Sequence, residues 1–210
     1  MNGNNREREI HKSWCDGGFQ QKHAAARKKV ELYVQELNCR YIEKTGTGFM
    51  RYMESRMKTP ESICGKLKRK GLPEDFEVAV ERLNDISGVR IICYCLKEVY
   101  WIAKQVEKDG RFTIAKVKDY IEKPKKNGYE SYHIILQVPV KIDDVSDIIP
   151  VELQIRTIIM DAWAGMDNRI SYKKAKTSPE LVQSIRKYAK IARRLDTLIQ
   201  RTLDEEKNES

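Results

Sequence analysis

Residues 151–156, VELQIR, constrain the fold more than any other part of the chain, because apolar and polar side chains alternate in them without a break. Successive side chains of a β-strand point to opposite faces of a sheet, so one face here is apolar throughout. The other face carries a carboxylate, an amide and a guanidinium, on Glu152, Gln154 and Arg156. Burying such groups without partners is costly, so either water or a ligand must cover them. The segment therefore predicts a sheet with one face on a core and a polar face that is either solvated or holds a ligand.

Several other segments predict strands and helices around this one. Further strands are expected at residues 89–95, 112–120 and 131–138, and the alternating segment belongs to a strand over residues 149–156. Internal helices are expected at residues 59–70, 74–83, 97–108 and 157–172, the first of them opened by a capping threonine and a proline, Thr59-Pro60. This order predicts an α+β fold, a mixed sheet with helices packed on it, in a single domain over residues 1–210 with a catalytic core at about 45–175. We expect the first fifteen residues to be loose.

Amphipathic helices are predicted at both ends of the core. The first, over residues 20–43, repeats apolar residues at steps of four and three: Ala26, Val30, Tyr33 and Leu37. The second, over residues 179–203, carries a longer seam of the same kind: Leu181, Ile185, Tyr188, Ala192, Leu195 and Ile199. Such a seam packs against another helix, either within this chain or in a neighbouring subunit, and the pattern is compatible with both.

Charge and cysteine content narrow the class of partner and the compartment. Forty Lys and Arg against 31 Asp and Glu give a net charge of +9, which favours polyanions such as nucleotides, RNA or anionic lipid. No apolar run approaches the roughly 20 residues that a bilayer span needs, and no hydrophobic leader is seen. Five cysteines without a CxxC pair match neither a disulfide framework nor a zinc site. We expect a cytoplasmic protein with no membrane partner.

Residues 119–133, DYIEKPKKNGYESYH, combine a basic loop, a turn and the start of a strand. Three lysines surround a proline, and the Asn-Gly pair that follows turns the chain. The strand then places an aromatic ring, a hydroxyl and an imidazole on one side: Tyr129, Ser131 and His133. Such a segment suits a nucleotide, although a lysine-rich surface hairpin with a core tyrosine has the same pattern, and the segment alone favours neither.

A second basic cluster surrounds the start of the helix at residues 59–70. Ser62, Lys66 and Arg69 are spaced by four and three and so share one helix face, while Arg56 and Lys58 precede the helix. Free backbone amides and the helix dipole favour an anion at such a terminus. The cluster predicts a triphosphate site, and a solvated basic helix is the alternative.

Two acidic residues are candidates for a metal site. Asp85 and Glu152 are 67 residues apart, but each lies at the end of a predicted strand, so they can converge across the sheet. Two carboxylates with few protein partners suit Mg²⁺, which keeps water and substrate phosphate in its shell. An aspartate in a turn, such as Asp85, also serves commonly as a capping residue.

Four segments in this order resemble the synthetase domain of the RelA/SpoT family, and the chain is similar to a small alarmone synthetase: RMKTPESICGK, DISGVR, NGYESYH and VELQIRT. The resemblance runs from about residue 51 to about residue 174. It implies a nucleotidyltransferase-like sheet wrapped by helices. It also implies transfer of pyrophosphate from ATP to the 3′-hydroxyl of GDP or GTP, with release of AMP and formation of (p)ppGpp. The length of 210 residues leaves no room for the hydrolase and regulatory domains of long members, so we expect synthesis without breakdown.

The resemblance also assigns roles to residues. Asp85 and Glu152 would be catalytic and hold Mg²⁺, and Glu152 would act as general base. The implied ATP site consists of Arg56, Lys58, Ser62, Lys66, Arg69 and Arg90, with Arg56 and Arg90 on either side of the adenine. The implied guanosine-nucleotide site consists of Lys123, Lys125, Asn127, Tyr129, His133 and Gln154, with Tyr129 stacked on the guanine. GMP is a further acceptor to consider, a homotetramer is the expected assembly, and (p)ppGpp or RNA are the expected regulators.

Two positions depart from the family pattern. Many members carry arginine after the stacking tyrosine, whereas this chain has Glu130, which removes a cation near the acceptor. Small relatives usually have a Glu-His pair where this chain has Asp167-Asn168. Two other functions compete with alarmone synthesis. One is transfer of pyrophosphate to the 3′ end of tRNA, and the other is a non-catalytic, basic RNA-binding regulator.

Overall fold

A computed structural model describes residues 3–172 and 178–206 of the chain. Within these ranges the helices are α1 (Gly3–Trp14), α2 (Gly17–Thr45), α3 (Pro60–Arg69), α4 (Phe76–Arg82), α5 (Leu96–Asp109), α6 (Ile158–Tyr172) and α7 (Pro179–Glu206). The strands are β1 (Met50–Met57), β2 (Ser87–Cys93), β3 (Thr113–Asp119), β4 (Tyr132–Ile142) and β5 (Val145–Thr157). No helix among the described residues is long and apolar enough to cross a membrane.

The five strands form one mixed sheet in the order β1-β2-β5-β4-β3, which confirms the predicted fold class. β2 and β5 run parallel, and the other neighbouring pairs are antiparallel. A two-residue turn at Asp143 and Asp144, both with positive φ, joins β4 to β5. Positive φ at both central positions matches the twist of a tight hairpin. Because the two strands pair right up to this turn, β4 and β5 extend beyond the ranges that their apolar patterns predicted.

The apolar face of the sheet packs on α2 and α5. Val89, Leu153 and Ile134 lie side by side on β2, β5 and β4, and all three are fully buried. Val30 of α2 and Ile102 of α5 belong to the same core. Because this face is covered, the polar residues that alternate with it are directed to the opposite side.

A smaller apolar cluster joins α1, α3 and α4 and holds α3 in place. Ile10 of α1 is 1% exposed and packs with Ile63 and Leu67 of α3. The indole of Trp14 donates to the carbonyl of Lys58 at 2.9 Å. The expectation that the first fifteen residues are loose is therefore wrong over the described part of α1. Ile10 and Trp14, four positions apart, anchor a helix whose sequence is otherwise mostly polar.

The edge strand β1 was not predicted, because its residues, MRYMESRM, lack alternation and are mostly exposed. Hydrogen bonding to β2 alone defines it as a strand. The C-terminal helix forms as predicted, and part of its predicted seam is buried. Leu181, Ile185 and Ala192 of the seam pack in one cluster with Trp163 of α6, whereas Tyr188 and Leu195 are 45% and 43% exposed.

Candidate active site

The polar face of the sheet carries the candidate site, because strand register brings distant polar residues into one row. Arg90 of β2, Gln154 of β5 and His133 of β4 lie opposite one another across three neighbouring strands. Lys118 of β3 extends the row beyond His133. The row confirms that the alternation in β5 marks a polar sheet face. Both Gln154 and His133 are buried within it.

Glu152 lies at the centre of this face and is 8% exposed. His133 Nδ1 is 2.9 Å from one carboxylate oxygen, and Gln154 Nε2 donates to the other at 2.6 Å. Burial alone would raise the pKa of Glu152, but these two donors outweigh it and hold the pKa below its ordinary value. The carboxylate is therefore ionised at neutral pH.

His133 connects Glu152 to Tyr129 in the loop that precedes β4. Burial lowers the pKa of His133, although the bond to Glu152 opposes this, so the imidazole is neutral near pH 7. A neutral ring that donates from Nδ1 to Glu152 accepts at Nε2, and the hydroxyl of Tyr129 lies 2.9 Å from that atom. Arg156 in turn donates to the Tyr129 hydroxyl at 2.7 Å. These contacts form a continuous chain from Arg156 to Glu152.

The predicted guanosine residues come together around Tyr129. The Lys125 ammonium lies 4.3 Å from the centre of the Tyr129 ring, and Tyr120 meets the same ring edge-on at 5.9 Å. Asn127 uses its side chain within the protein: Nδ2 donates to Asp167 at 3.1 Å, and Oδ1 accepts the Tyr129 amide at 3.2 Å. Asn127 therefore shapes the turn that presents Tyr129. Lys123 is exposed on the same loop.

Asp85 forms a second centre with two lysines. Lys58 Nζ and Lys66 Nζ lie 3.2 Å and 2.5 Å from one of its carboxylate oxygens. The other oxygen, Oδ1, is buried without a hydrogen-bond partner. Lys66 also lies close enough to Glu152 to help lower the pKa of that carboxyl group. One ammonium group thus interacts with both predicted metal ligands, in agreement with their expected convergence.

Asp85 and Glu152 are the candidate ligands for a divalent cation. Among residues 3–172 and 178–206, no group of three or more His, Cys, Asp or Glu side chains is placed to hold a metal. Asp85 nevertheless has a buried oxygen free to accept a cation, and Glu152 is ionised. Such a sparse carboxylate set fits Mg²⁺, which takes most of its ligands from water and phosphate.

The remaining predicted ATP residues lie on α3, β1 and β2. Ser62 is in the first turn of α3, where its amide donates to the capping Thr59 side chain at 3.4 Å. Arg69 is exposed at the other end of α3. Arg56, opposite Gly88 in the register, and Arg90 line one small cleft in the sheet face. Burial is the main cause that lowers the pKa of Arg90, and the charges of Arg156 and Arg56 add to it.

Comparison with known proteins identifies the family. Residues 55–177 match the family described as "Region found in RelA / SpoT proteins". GTP pyrophosphokinase YwaC of Bacillus subtilis is 37% identical over 169 residues, covering 80% of this chain and 79% of the relative. The chain belongs to the RelA/SpoT family. Its fold resembles the crystal structure of small alarmone synthetase 2 from B. subtilis, with a TM-score of 0.78, 33% identity and coverage of 88% of this chain and 97% of that one. A GTP pyrophosphokinase family protein from Streptococcus pneumoniae gives a TM-score of 0.80 at 25% identity, covering 90% and 92%.

Sequence reasoning missed two residues of this RelA/SpoT site. Asp161, in the first turn of α6, accepts from Arg156 at 3.0 Å and from the hydroxyl of Tyr52 at 2.5 Å, and it lies 3.9 Å from Arg90. It therefore orients the two arginines of the sheet face. Asp161 could have been suspected from the sequence, because it is a carboxylate that follows closely on the polar strand β5. Tyr52 could not have been, because the sequence did not predict the strand β1 that carries it.

The two departures from the family pattern have defined surroundings. Asp167 accepts a hydrogen bond from Asn127, so it ties α6 to the turn before Tyr129. Glu130 pairs with Arg193 of α7 at 3.3 Å. Burial raises the pKa of Glu130 to about 7, although Arg193 opposes this. Glu130 is thus part of the contact between α7 and the loop that precedes β4.

Proposed function

We propose that this chain is a GTP pyrophosphokinase, which transfers pyrophosphate from ATP to the 3′-hydroxyl of a guanosine nucleotide and releases AMP. The observation that carries the proposal is the position of Glu152. This ionised carboxylate lies between a lysine-rich centre at Asp85 and an aromatic, hydrogen-bonded centre at Tyr129. The match to GTP pyrophosphokinases over most of both chains supports the same activity.

The ATP molecule is assigned to the side of the site formed by β1, β2 and α3. Arg56 and Arg90 line one cleft, and a flat guanidinium group stacks well on an adenine ring. Lys58, Ser62, Lys66 and Arg69 would bind the phosphates. Lys58 and Lys66 form ion pairs with Asp85 in this structure. In our proposal both ammonium groups turn toward the polyphosphate when it binds.

The acceptor nucleotide is assigned to the side formed by the loop of residues 123–130 and β4. The ring of Tyr129 would stack on the guanine, with Asn127 holding the turn and Lys123 and Lys125 near the phosphates. Lys125 already lies over the Tyr129 ring, so it has to move aside when a base stacks there. His133 and Gln154 hold Glu152, and they would fix its carboxylate against the 3′-hydroxyl.

The chemistry needs a base, charge neutralisation and alignment. In our proposal the 3′-oxygen attacks the β-phosphorus of ATP as the bond to the leaving AMP oxygen breaks, and Glu152 takes the proton of the 3′-hydroxyl. Asp85 and Glu152 would hold Mg²⁺, which when bound neutralises charge on the phosphates. Lys66, Lys58 and Arg90 supply further positive charge on the same side.

We further propose that the enzyme is a homo-oligomer, with a tetramer as the favoured form, and that it works in the cytoplasm. The support for an oligomer is an exposed apolar stripe on α7, made of Tyr188, Ile191, Leu195 and Leu198. Spacings of three and four place the stripe on one side of the helix, as in helices that pair with another helix. Regulation by (p)ppGpp or RNA remains part of the proposal.

A direct assay tests the proposed function. Purified protein with Mg²⁺, ATP and GDP, GTP or GMP should yield AMP and a guanosine nucleotide enlarged by two phosphates. A parallel reaction with tRNA separates nucleotide acceptors from an RNA 3′ end. Absence of product with all three guanosine nucleotides would refute the proposal.

A further inference from the structure

The helix α7 contacts the acceptor loop, here defined as residues 125–130, although more than fifty residues separate them in sequence. Arg186 Nε donates to the Lys126 carbonyl at 3.1 Å, and Arg193 pairs with Glu130 at 3.3 Å. Between these two contacts the helix touches the turn itself. A Cβ added to Gly128 would lie 2.3 Å from the Cβ of Ala189. A small residue on each side is therefore needed for the helix to lie this close.

Three residues of the loop meet α7: Lys126 through its carbonyl, Gly128 through its backbone and Glu130 through its carboxylate. The side chain of Tyr129 packs against the apolar cluster that α6 and α7 form around Trp163. The loop therefore rests on the helix from Lys126 to Glu130, and α7 helps to fix the position of Tyr129.

One face of α7 makes all these contacts, and further along the helix the same face is bonded to β5 and α5. Its contact residues follow steps of three and four: Arg186, Ala189, Arg193, Asp196 and Gln200. Asp196 is 1% exposed and accepts a hydrogen bond from the Thr157 hydroxyl at 2.8 Å. Thr157 follows Arg156 and is the last residue of β5. Gln200 accepts from the amide of Lys97 at 2.8 Å. The helix is thus fixed both to the sheet and to α5, and it can act as a rigid support.

We propose that α7 is a positioning element for the acceptor nucleotide, with Arg193 and Ala189 as its positioning residues. The proposal rests on the proposed function. It predicts that α7 affects one substrate selectively. The loop carries Tyr129, whereas Lys58 and Lys66 lie on the far side of Glu152 with α3, which packs on α1. A change in the contact between α7 and the loop should alter acceptor binding and leave ATP binding intact.

Charge reversal at Arg193 is the test. Arg193→Glu would place a third carboxylate beside Glu130 and Asp196, which already influence each other. The Michaelis constant for the guanosine nucleotide should rise by at least about fivefold, a usual size for coupling between distinct sites, and that for ATP should not change. Glu130→Arg should act in the same direction. The double variant, Glu130→Arg with Arg193→Glu, restores an ion pair and should recover much of the acceptor affinity.

The neighbouring Arg194 provides the matched control, because it is exposed and lies off the contact face. Arg194→Glu makes the same charge change and should leave both Michaelis constants unaltered. Equal effects of the two reversals, equal effects on ATP and acceptor, or no effect of Arg193→Glu would overturn the proposal.

Amide hydrogen exchange separates failure of this proposal from failure of the proposed function. Exchange in peptides that span residues 125–130 should speed up in Arg193→Glu and stay unchanged in Arg194→Glu, with or without turnover. Unchanged exchange in Arg193→Glu would refute the supporting role of α7. A wild-type protein that transfers no pyrophosphate would instead refute the proposed function, and the exchange result would still decide whether α7 orders the loop.

Discussion

At the scale of single residues, Tyr129 connects the two halves of the site. Its hydroxyl joins Arg156 to His133, and its ring lies under the Lys125 ammonium on the loop side. The ring and the hydroxyl therefore have separable roles. The ring would bind guanine, and the hydroxyl would keep His133 in the tautomer that donates to Glu152.

Substitution of Tyr129 tests this separation. Tyr129→Ala should raise the Michaelis constant for the guanosine nucleotide about 5- to 150-fold, because stacking of a base on an aromatic ring contributes about 1–3 kcal/mol. Tyr129→Phe keeps the ring and should have a much smaller effect on that constant while lowering the turnover number. Steady-state kinetics with each nucleotide varied in turn provide the measurement. Equal losses of acceptor affinity in both variants would contradict a stacking role for the ring.

The polar residues of β5 could be predicted at this scale, because a strand's alternation fixes which side chains share a face. Glu152, Gln154 and Arg156 do share one. Their hydrogen-bond partners could not be predicted in the same way. Asp161 and Tyr52 reach Arg156 and Arg90 only after α6 and β1 have packed, so the tertiary fold decides these contacts.

At the scale of elements, a buried histidine joins α2 to the start of β2. His23 is 2% exposed, and its Nδ1 lies 2.8 Å from the Ser87 hydroxyl. Burial lowers the pKa of His23 to about 4, with help from Arg27 and Lys22 and against the attraction of Asp147. The folded protein therefore binds fewer protons at this residue than the unfolded chain does.

This difference predicts the pH dependence of stability. Because the folded pKa lies below the unfolded value of 6.5, stability is unaffected above pH 6.5 and falls as the pH drops toward 4. Between pH 7.5 and pH 5 the free energy of unfolding should drop by about 2 kcal/mol more in the wild type than in His23→Gln. Urea titrations at both pH values measure it. Parallel pH profiles for the two proteins would contradict the assignment.

Element prediction succeeded where burial imposes a pattern and failed where it does not. The strands β2 and β5 are covered on one face, so hydrophobic residues mark them in the sequence. The edge strand β1 is held by backbone hydrogen bonds to β2, and α1 is held by Ile10 and Trp14, so neither leaves a periodic signal. Local sequence cannot reveal elements whose stability comes from their neighbours.

At the scale of the whole molecule, α7 presents two different faces. One face packs on α6 and the acceptor loop. The other carries the exposed stripe, in which Ile191 is 64% exposed and Leu198 is 49% exposed. We expect such a row of large apolar side chains on one helix to contact a second protein surface.

A second copy of the chain is the partner that we expect for this stripe. Ile191→Asp combined with Leu198→Asp should lower the mass measured by size-exclusion chromatography with light scattering from that of an oligomer toward that of one chain. Thr197→Asp, exposed between the stripe residues in sequence, is the matched control and should keep the wild-type mass. A wild type that elutes as a monomer would contradict the proposed oligomer.

The most direct test of the proposed activity is Glu152→Gln, assayed with ATP labelled at the β-phosphate. The wild type should transfer labelled pyrophosphate to a guanosine nucleotide. Loss of the base should lower that rate by at least about 100-fold while the fold is kept, because glutamine has nearly the same shape. Glu43→Gln, at an exposed position on α2, is the matched control and should transfer label at the wild-type rate. Transfer by Glu152→Gln at the wild-type rate would contradict the central role of Glu152.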